Sequence, residues 1–192
     1  GDFKISLAEW SLHKALFSKQ LDNLDFPKVA REDYGVDGVE YVNQFFKDKA
    51  HDSAYLKDLK QRAADHGVAN VLIMIDGEGD LSAPEKADRD KAIENHKKWV
   101  DAAADLGCHA IRVNTGNHYS PTDVAAAAEA CGALAAYGQA RKIHVICENH
   151  GGPSSNPDAL LALIKAVGSD NFGTLPDFGN FPKKDGQYAI DV

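Results

Sequence analysis

The sequence predicts an α/β fold of the TIM (β/α)8-barrel type, of which these 192 residues supply the first six strand–helix units. Short apolar runs alternate with longer amphipathic segments, the pattern of parallel strands joined by helices. Successive strands begin roughly 30 to 40 residues apart, as in an eight-unit barrel of about 250 residues. Carboxylates follow several of these runs, and in such folds the carboxyl ends of the strands carry the site.

Three strands and two helices are predicted in the first part of the chain. The strands cover residues 3–8, 36–42 and 68–75, and the third is apolar almost throughout, as in a parallel strand covered on both faces. One helix covers about 26–34 and stops at a glycine, and the next covers about 53–66 with its leucines on one face. Trp10 is predicted to follow the first strand, and Glu40 to lie at the end of the second.

The second part begins with a predicted capping box, Ser82 with Glu85 three residues later, which would open a long helix ending at Gly107. A fourth strand is predicted over 109–114, followed by an Ala-rich helix that opens at 120–123. Arg112 and Asn114 share one face of that strand because side chains alternate along a strand. The deeper Arg112 then needs a carboxylate, for which Glu148 and Glu40 are both candidates.

A strand–helix–strand unit closes the predicted pattern. An apolar strand over 143–147 leads into Glu148, and a helix follows with Asn156 as N-cap and Pro157 at its first position. A strand over 172–175 then leads to Asp177, and residues 187–192 are predicted to begin a sixth helix. Glu148 and Asp177 would therefore lie side by side at neighbouring strand ends, with His150 nearby, which indicates an oxygen-rich divalent metal site.

The length favours one domain over residues 1–192, here lacking the last two strands of a barrel. Because the chain ends without a helix stop signal, we expect a fragment of a longer protein; the alternative is an open sheet covered by a partner. A missing C-terminal segment or a homo-oligomer would cover the exposed strand edges.

Composition limits the classes of partner and the compartment. The formal net charge of −8 disfavours nucleic acid and anionic membranes as partners and is compatible with small sugars and cations. No apolar run approaches a membrane-spanning length. The three cysteines lack zinc-site spacing and favour a reducing compartment, so a cytoplasmic location is expected. An exported form with a removed leader stays open, since the chain starts Gly-Asp-Phe.

Two strand ends carry a resemblance to a known family: the segment VICENHGG from Val145 and the segment LPDFGN from Leu175, supported by GVEY from Gly38. The chain resembles the xylose isomerase-like barrels, the sugar phosphate isomerase/epimerase group that includes inosose dehydratases and apurinic-site endonucleases. The resemblance implies that Glu148 and Asp177 are metal ligands. In the family a histidine from strand seven and a glutamate from strand eight complete the set, and these have no counterpart within the 192 residues.

The resemblance implies a divalent-metal-dependent isomerase or epimerase of a sugar, sugar phosphate or cyclic polyol, acting by proton transfer through an enediolate. Glu148 would be the catalytic acid/base, and the metal would be Mn²⁺ or Mg²⁺, with Co²⁺ or Zn²⁺ as alternatives. An inosose dehydratase-type lyase and a catalytically silent sugar-binding barrel are the alternative functions. A three-zinc endonuclease site is disfavoured, because Asn180 stands where those relatives place a metal-binding histidine.

Six further side chains are candidates for contact with the carbohydrate substrate. Three of them have a structural alternative: a solvated loop position for His150, a buried ion pair for Glu40, and core or rim packing for Trp10. The full set consists of His150, Asn180, Glu40, Asn114, Arg112 and Trp10.

Overall fold

A computed structural model describes residues 3–184, 187 and 188. Six strands form one sheet in sequence order, β1-β2-β3-β4-β5-β6, which confirms the predicted α/β fold with neighbouring strand–helix units. The β1–β2, β2–β3 and β5–β6 pairs run parallel. The strands are β1 (Leu7–Ala8), β2 (Gly38–Val42), β3 (Ala69–Met74), β4 (Ala110–Val113), β5 (His144–Glu148) and β6 (Phe172–Leu175).

Six α-helices lie among these strands, and short 3₁₀ turns follow several strand ends. Among the described residues, no helix combines the length and apolar character needed to cross a membrane. The helices are α1 (His13–Phe17), α2 (Phe26–Glu32), α3 (Ser53–Asp65), α4 (Lys86–Leu106), α5 (Ala125–Gln139) and α6 (Pro157–Val167).

The chain divides into two compact units, and the first holds residues up to Asp76 together with Lys98–Ile111 and Arg141–Ile143. Its core is aromatic: Phe46 packs edge-on against Trp99 with ring centroids 5.2 Å apart, and Tyr41 packs against Phe26 at 5.9 Å. Trp99, Tyr41 and Phe26 are fully buried. Burial of such large rings is a major contribution to the stability of this unit.

The second unit comprises Gly77–Lys97, Arg112–Ala140 and the residues from His144 onward. Its core joins α5 and α6 to β5 and β6 through buried Cys131, Leu134 and Leu163. Asn171, just before β6, donates from Nδ2 to the carbonyl oxygen of Ala135 at 2.8 Å and so ties that strand to α5. The organisation of residues 1–192 as a single barrel domain stays a prediction.

Helix α6 has the predicted ends. The side-chain oxygen of Asn156 accepts hydrogen bonds from the backbone N–H groups of Asp158 at 3.0 Å and Ala159 at 3.3 Å. Pro157 takes the first helical position, where no backbone N–H is required. Gly168 ends the helix in the left-handed conformation, at φ 60°, which favours glycine.

Two helix starts differ from the prediction. Helix α4 begins at Lys86, because the Ser82 hydroxyl donates to Asp80 Oδ1 at 2.8 Å instead of capping a helix. Helix α5 begins at Ala125, because the backbone N–H groups of Ser120 and Asp123 each bond the carbonyl of the other in an isolated antiparallel bridge. In both loops, side-chain and backbone partners outside a helix satisfy the polar groups on which the helix prediction relied.

The structure also differs from the prediction near both ends of the chain. The first strand is limited to Leu7–Ala8, and helix α1 was not predicted. Gln187–Tyr188 forms a strand, β8, that pairs antiparallel with β7 (Lys183–Lys184), so the predicted helix over 187–192 is wrong at its start. Pairing in a hairpin bonds these backbone groups without a helical turn. The remainder of that predicted helix, residues 189–192, lies outside the described residues.

Candidate metal and proton-transfer site

The carboxyl ends of β5 and β6 bring Glu148 and Asp177 together. Glu148 is the last residue of β5 and lies in register with Leu175, the last residue of β6. Asp177 follows two residues later. Parallel pairing in this register places both acids at one edge of the sheet, as the sequence predicts.

Asn149, directly after Glu148, fixes the position of Asp177. Its side-chain oxygen accepts from the backbone N–H of Asp177 at 2.6 Å, and its Nδ2 donates to the carbonyl oxygen of the same residue at 2.9 Å. We call this pair of hydrogen bonds the Asn149–Asp177 clasp. Asn149 is buried, so both hydrogen bonds are shielded from water. The backbone that carries the second carboxylate is therefore held by the residue next to the first.

The amide of Asn180 bridges the two carboxylates. Its Nδ2 lies 2.9 Å from Asp177 Oδ2 and 3.5 Å from Glu148 Oε1. The other Asp177 oxygen, Oδ1, accepts from the backbone N–H of Gly179 at 2.7 Å. Each carboxylate thus presents one oxygen to a shared position beside the Asn180 amide.

Arg112 pairs with Glu148 on the side away from that amide. The Arg112 Nε lies 2.9 Å from Glu148 Oε2, and only 6% and 12% of the two side chains are exposed. The Arg112 Nη1 also donates to Asn114 Oδ1 at 3.3 Å. The predicted sharing of one strand face by Arg112 and Asn114 is confirmed, and of the two candidate partners it is Glu148 that receives the guanidinium.

The environment of Glu148 suits a proton acceptor. Burial raises the pKa of the Glu148 carboxyl, and the neighbouring Arg112 and His150 oppose that increase. A hydrogen bond with Asp177 and the negative charge of that residue add to it, so the net pKa lies above its usual value. A general base works best when its pKa approaches the working pH, and the direction of this shift is the useful one.

The donors at this edge fit a hard divalent cation. Two neighbouring carboxylates repel each other unless a proton or a cation lies between them. Carboxylate oxygens are ligands of the kind that Mg²⁺ and Mn²⁺ prefer, whereas the Asn180 amide turns its Nδ2 donor to this position. Within residues 3–184, 187 and 188, no cluster of three His, Cys, Asp or Glu side chains suits a metal. The described residues therefore offer two carboxylates at this edge.

His150 begins the glycine-rich loop that follows this edge. Its backbone N–H donates to Ser154 Oγ at 2.9 Å, while its side chain is exposed. The adjacent Gly151 is held in the same way by Ser155 Oγ at 2.8 Å. The loop is thus ordered by its own serines, and the imidazole is presented to solvent close to Glu148.

Glu40 and Trp10 belong to the first unit. The predicted second strand, 36–42, ends at Val42 as β2 does, and Glu40 is the central residue of β2, two positions before that end. The Glu40 Oε1 accepts a hydrogen bond from Ser6 Oγ at 2.5 Å. The alternative prediction for Glu40, a buried ion pair, is not what the structure shows, because the carboxylate is bonded to the Ser6 hydroxyl.

Trp10 lies in the 3₁₀ turn after β1 and is 44% exposed. Its ring stacks on the imidazole of His13, with centroids 4.8 Å apart and an interplanar angle of 11°. Phe17 and Phe45 complete the cluster, with centroids 5.9 Å and 6.1 Å from that of Trp10. Trp10 therefore packs at the surface while one part of its ring stays accessible.

Sequence reasoning missed Asn149. An asparagine directly after a strand-end glutamate was the available signal, but its partner lies 28 residues further along the chain. A contact at that separation depends on the register of β5 and β6, which the residue pattern alone does not give.

Comparison with known proteins supports the fold. A family profile described as "Xylose isomerase-like TIM barrel" matches residues 29–191. No curated protein matches the sequence. Many solved structures resemble the chain, at low sequence identity, which is a likeness of fold.

Three of these structures illustrate that likeness. The probable 3-DHS dehydratase AsbF of Bacillus anthracis has a TM-score of 0.69 and 20% identity, over 93% of this chain and 64% of that one. A D-psicose 3-epimerase with D-tagatose from Clostridium cellulolyticum H10 has a TM-score of 0.73 and 15% identity, over 95% and 67%. The IOLI protein with a zinc atom has a TM-score of 0.71 and 14% identity, over 93% and 64%. The chain thus spans about two thirds of the length of these structures.

Proposed function

Because the chain belongs to the family of xylose isomerase-like TIM barrels, we propose that the full-length protein is a divalent-metal-dependent isomerase or epimerase of a small carbohydrate. The observation that carries the proposal is the pairing of Glu148 and Asp177 across the Asn180 amide, with Arg112 bonded to the far side of Glu148. A cation ligand and a proton acceptor at one strand end suit metal-assisted aldose–ketose and epimerase chemistry.

Glu148 and Asp177 would hold the cation, with Mn²⁺ or Mg²⁺ expected from their oxygen donors and Co²⁺ or Zn²⁺ as alternatives. When bound, the ion polarises a substrate carbonyl and acidifies the neighbouring C–H group. The IOLI protein of similar fold was solved with zinc.

Glu148 would remove the proton from the carbon next to the substrate carbonyl. Arg112 binds its Oε2 and orients the carboxylate, whereas the contact of Oε1 with Asn180 is long at 3.5 Å. Oε1 therefore faces the position that Glu148 shares with Asp177. Protonated Glu148 can deliver the proton to the neighbouring carbon while the hydroxyl proton passes to the former carbonyl oxygen, which gives isomerisation. An acid on the opposite face that protonates the original carbon gives epimerisation.

The other candidates would bind substrate hydroxyl groups. His150 and Asn180 present polar groups beside the acid pair, and Asn114 lies just after β4 with its Oδ1 bonded to Arg112. Glu40 and Trp10 are proposed for a hydroxyl contact and for stacking on the sugar ring. Small-molecule carbohydrates are thus the proposed partners of the full-length protein.

The test is turnover by the full-length protein of a panel of ketoses and aldoses, including D-psicose, D-fructose and D-tagatose, with product analysis. We expect Mn²⁺-stimulated conversion that chelator abolishes and added Mn²⁺ restores. Release of water with formation of an unsaturated product would assign the dehydratase alternative. Sugar binding without turnover would assign the silent sugar-binding barrel.

A further inference from the structure

Outside the acid pair, the second unit contains a histidine held by a carboxylate. Asp80, in the loop after β3, accepts from His118 Nδ1 at 2.8 Å through Oδ2. Its Oδ1 accepts from the backbone N–H of Ser82 at 2.7 Å and from the Ser82 hydroxyl at 2.8 Å. Both carboxylate oxygens of Asp80 therefore accept hydrogen bonds, and the imidazole donates one of them.

The loop that carries His118 is fixed at several points. The backbone N–H of His118 donates to Ser82 Oγ at 2.9 Å, and the next residue, Tyr119, bonds Thr115 Oγ1 at 2.8 Å in the core. Gly116 makes this close approach possible, since a Cβ there would lie 1.7 Å from Asp80 Oδ1, and its φ is +90°. Backbone and ring of His118 are thus both held in place.

The Asp80 carboxylate determines which nitrogen of the His118 ring can accept a hydrogen bond from a ligand. Partial burial alone would raise the pKa of the Asp80 carboxyl, but the hydrogen bonds from Ser82, His118 and Asn117 outweigh burial and lower it. An ionised carboxylate only accepts, so Nδ1 of the neutral imidazole carries the hydrogen and Nε2 carries the lone pair. Among the described residues Nε2 has no hydrogen-bond partner, and 51% of the side chain is exposed.

The His118 loop lies against the loop that follows Glu148. The Oδ1 of Asn117 lies so close to Gly152 that a Cβ on the glycine would be 2.7 Å from it. Closer to the strands, Thr115 Oγ1 is 3.5 Å from Sγ of Cys147, the residue before Glu148 in β5. Both loops leave the carboxyl ends of their strands, the edge at which ligands bind in parallel α/β folds.

We propose that His118 is a substrate-binding residue of the full-length protein, whose Nε2 accepts a hydrogen bond from a hydroxyl of the bound sugar, and that Asp80 is its positioning residue. This inference rests on the proposed function. If His118 only linked its own loop to the loop of Asp80, Nδ1 alone would be needed. Removal of Nε2 therefore separates sugar binding from this structural role.

The variant His118→Asn makes that separation, because the asparagine amide can donate to Asp80 as Nδ1 does but has no group at the Nε2 position. In the full-length protein we expect KM for the best ketose of the panel to rise about 3- to 10-fold, the loss of one hydrogen bond, with kcat within about twofold. The midpoint of thermal unfolding should stay unchanged. His109→Asn, the same substitution at the exposed residue before β4, is the control and should leave KM unchanged.

A His118→Asn enzyme with wild-type KM would overturn the inference while the proposed function stands. If the wild type binds D-psicose without turnover, the proposed function fails, and the Kd ratio replaces the KM ratio. If the wild type binds no ketose, both the proposed function and the inference about His118 are overturned. Should His118→Asn not fold, the ¹⁵N signal of His118 Nε2 in the wild type decides: D-psicose shifts it if Nε2 binds the sugar, and an unmoved signal at saturating sugar overturns the inference.

Discussion

The strand pairs β2–β3 and β5–β6 end in the same hydrogen-bonded arrangement but differ in chemistry. In the first, Asn43 follows Val42, accepts from the backbone N–H of Asp76 at 2.9 Å and donates to its carbonyl at 2.9 Å. In the second, Asn149 does the same for Asp177. Registers agree as well: Val42 is paired with Met74, and Glu148 with Leu175, with the aspartate two residues later in each case.

The difference lies in the residue before the asparagine. Where β5 ends in Glu148, β2 ends in the buried Val42, so Asp76 has no neighbouring acid from that position. Its carboxylate instead accepts from Gln44 Nε2 at 3.1 Å, as Asp177 accepts from Asn180 at 2.9 Å. The same pair of hydrogen bonds, which we call the Asn43–Asp76 clasp in the first unit, thus belongs to the scaffold at both strand ends. The glutamate before Asn149 is what makes one of these ends a candidate site.

Buried acids in the two units differ in the same instructive way. Glu9, after β1, is fully buried, and its Oε2 accepts from the backbone N–H of Val42 at 2.7 Å. Burial raises the pKa of Glu9 well above its usual value, and that one hydrogen bond only partly opposes it. Glu148 has a guanidinium beside it, and Glu9 has none among its described contacts. A buried acid without a cation is stabilised by a proton, and one with a cation stays available for chemistry.

The largest expected effect separates Glu148 from the matched Asp76. In the full-length protein, Glu148→Gln should lower kcat about 10²- to 10⁴-fold, because it removes the proton acceptor. Asp76→Asn should keep kcat within about threefold. Steady-state isomerisation at saturating Mn²⁺ measures both, and a Glu148→Gln enzyme with the wild-type rate would show that the glutamate only ends a strand.

The next effect concerns the buried ion pair. Arg112→Met leaves the Glu148 carboxylate buried without its guanidinium, which should destabilise the fold by about 3–5 kcal/mol. Arg141→Met is the control: the Arg141–Asp101 ion pair has side chains 33% and 44% exposed, and its loss should cost at most about 1 kcal/mol. Urea unfolding measures the difference, and equal losses at the two sites would contradict the assigned role of Arg112.

The two clasps can be compared directly. Asn149→Ala and Asn43→Ala should each lower stability by about 1–3 kcal/mol, because a buried backbone N–H loses its acceptor. Only Asn149→Ala should also weaken Mn²⁺ binding, since only that clasp positions a proposed metal ligand. Urea unfolding and Mn²⁺ titration of the two variants test this, and a loss of Mn²⁺ affinity in Asn43→Ala would refute the distinction.

The smallest effect is the pH dependence contributed by Glu9. Its folded-state pKa is raised, so its favourable contribution is fully present below the unfolded pKa and is lost as the pH rises through the folded value. Glu9→Gln should therefore gain stability relative to wild type as the pH increases above about 4.5. Unfolding across a pH series measures the gain, with Glu129→Gln, an exposed position on α5, controlling for the lost charge. A gain independent of pH would contradict a buried proton on Glu9.

The sequence was sufficient to predict an element wherever the residues that determine its ends are close together along the chain. Strand β6 was predicted with its observed bounds, and α6 with its Asn156 cap, because the residues that determine them are neighbours along the chain. The acid pair was found because strand ends in a parallel fold share one edge.

Long-range partners explain what was missed. Ser82 has the sequence of a helix cap, but the backbone N–H of His118, 36 residues later, donates to its hydroxyl. The choice of Glu148 as the partner of Arg112, and the part played by Asn149, depend on strand register in the same way.

One titration tests the central claim most directly: Mn²⁺ binding to the full-length wild type, Asp177→Asn and Asp76→Asn. These aspartates occupy matching positions and each accepts a side-chain amide, and Asp177 has the carboxylate of Glu148 across the same amide. We predict that Asp177→Asn weakens Mn²⁺ binding at least about tenfold, because a charged oxygen ligand becomes a neutral one. Asp76→Asn should bind Mn²⁺ as the wild type does. Equal affinity in Asp177→Asn and wild type, or an equal loss in both variants, would contradict the assignment of this strand end as the metal site.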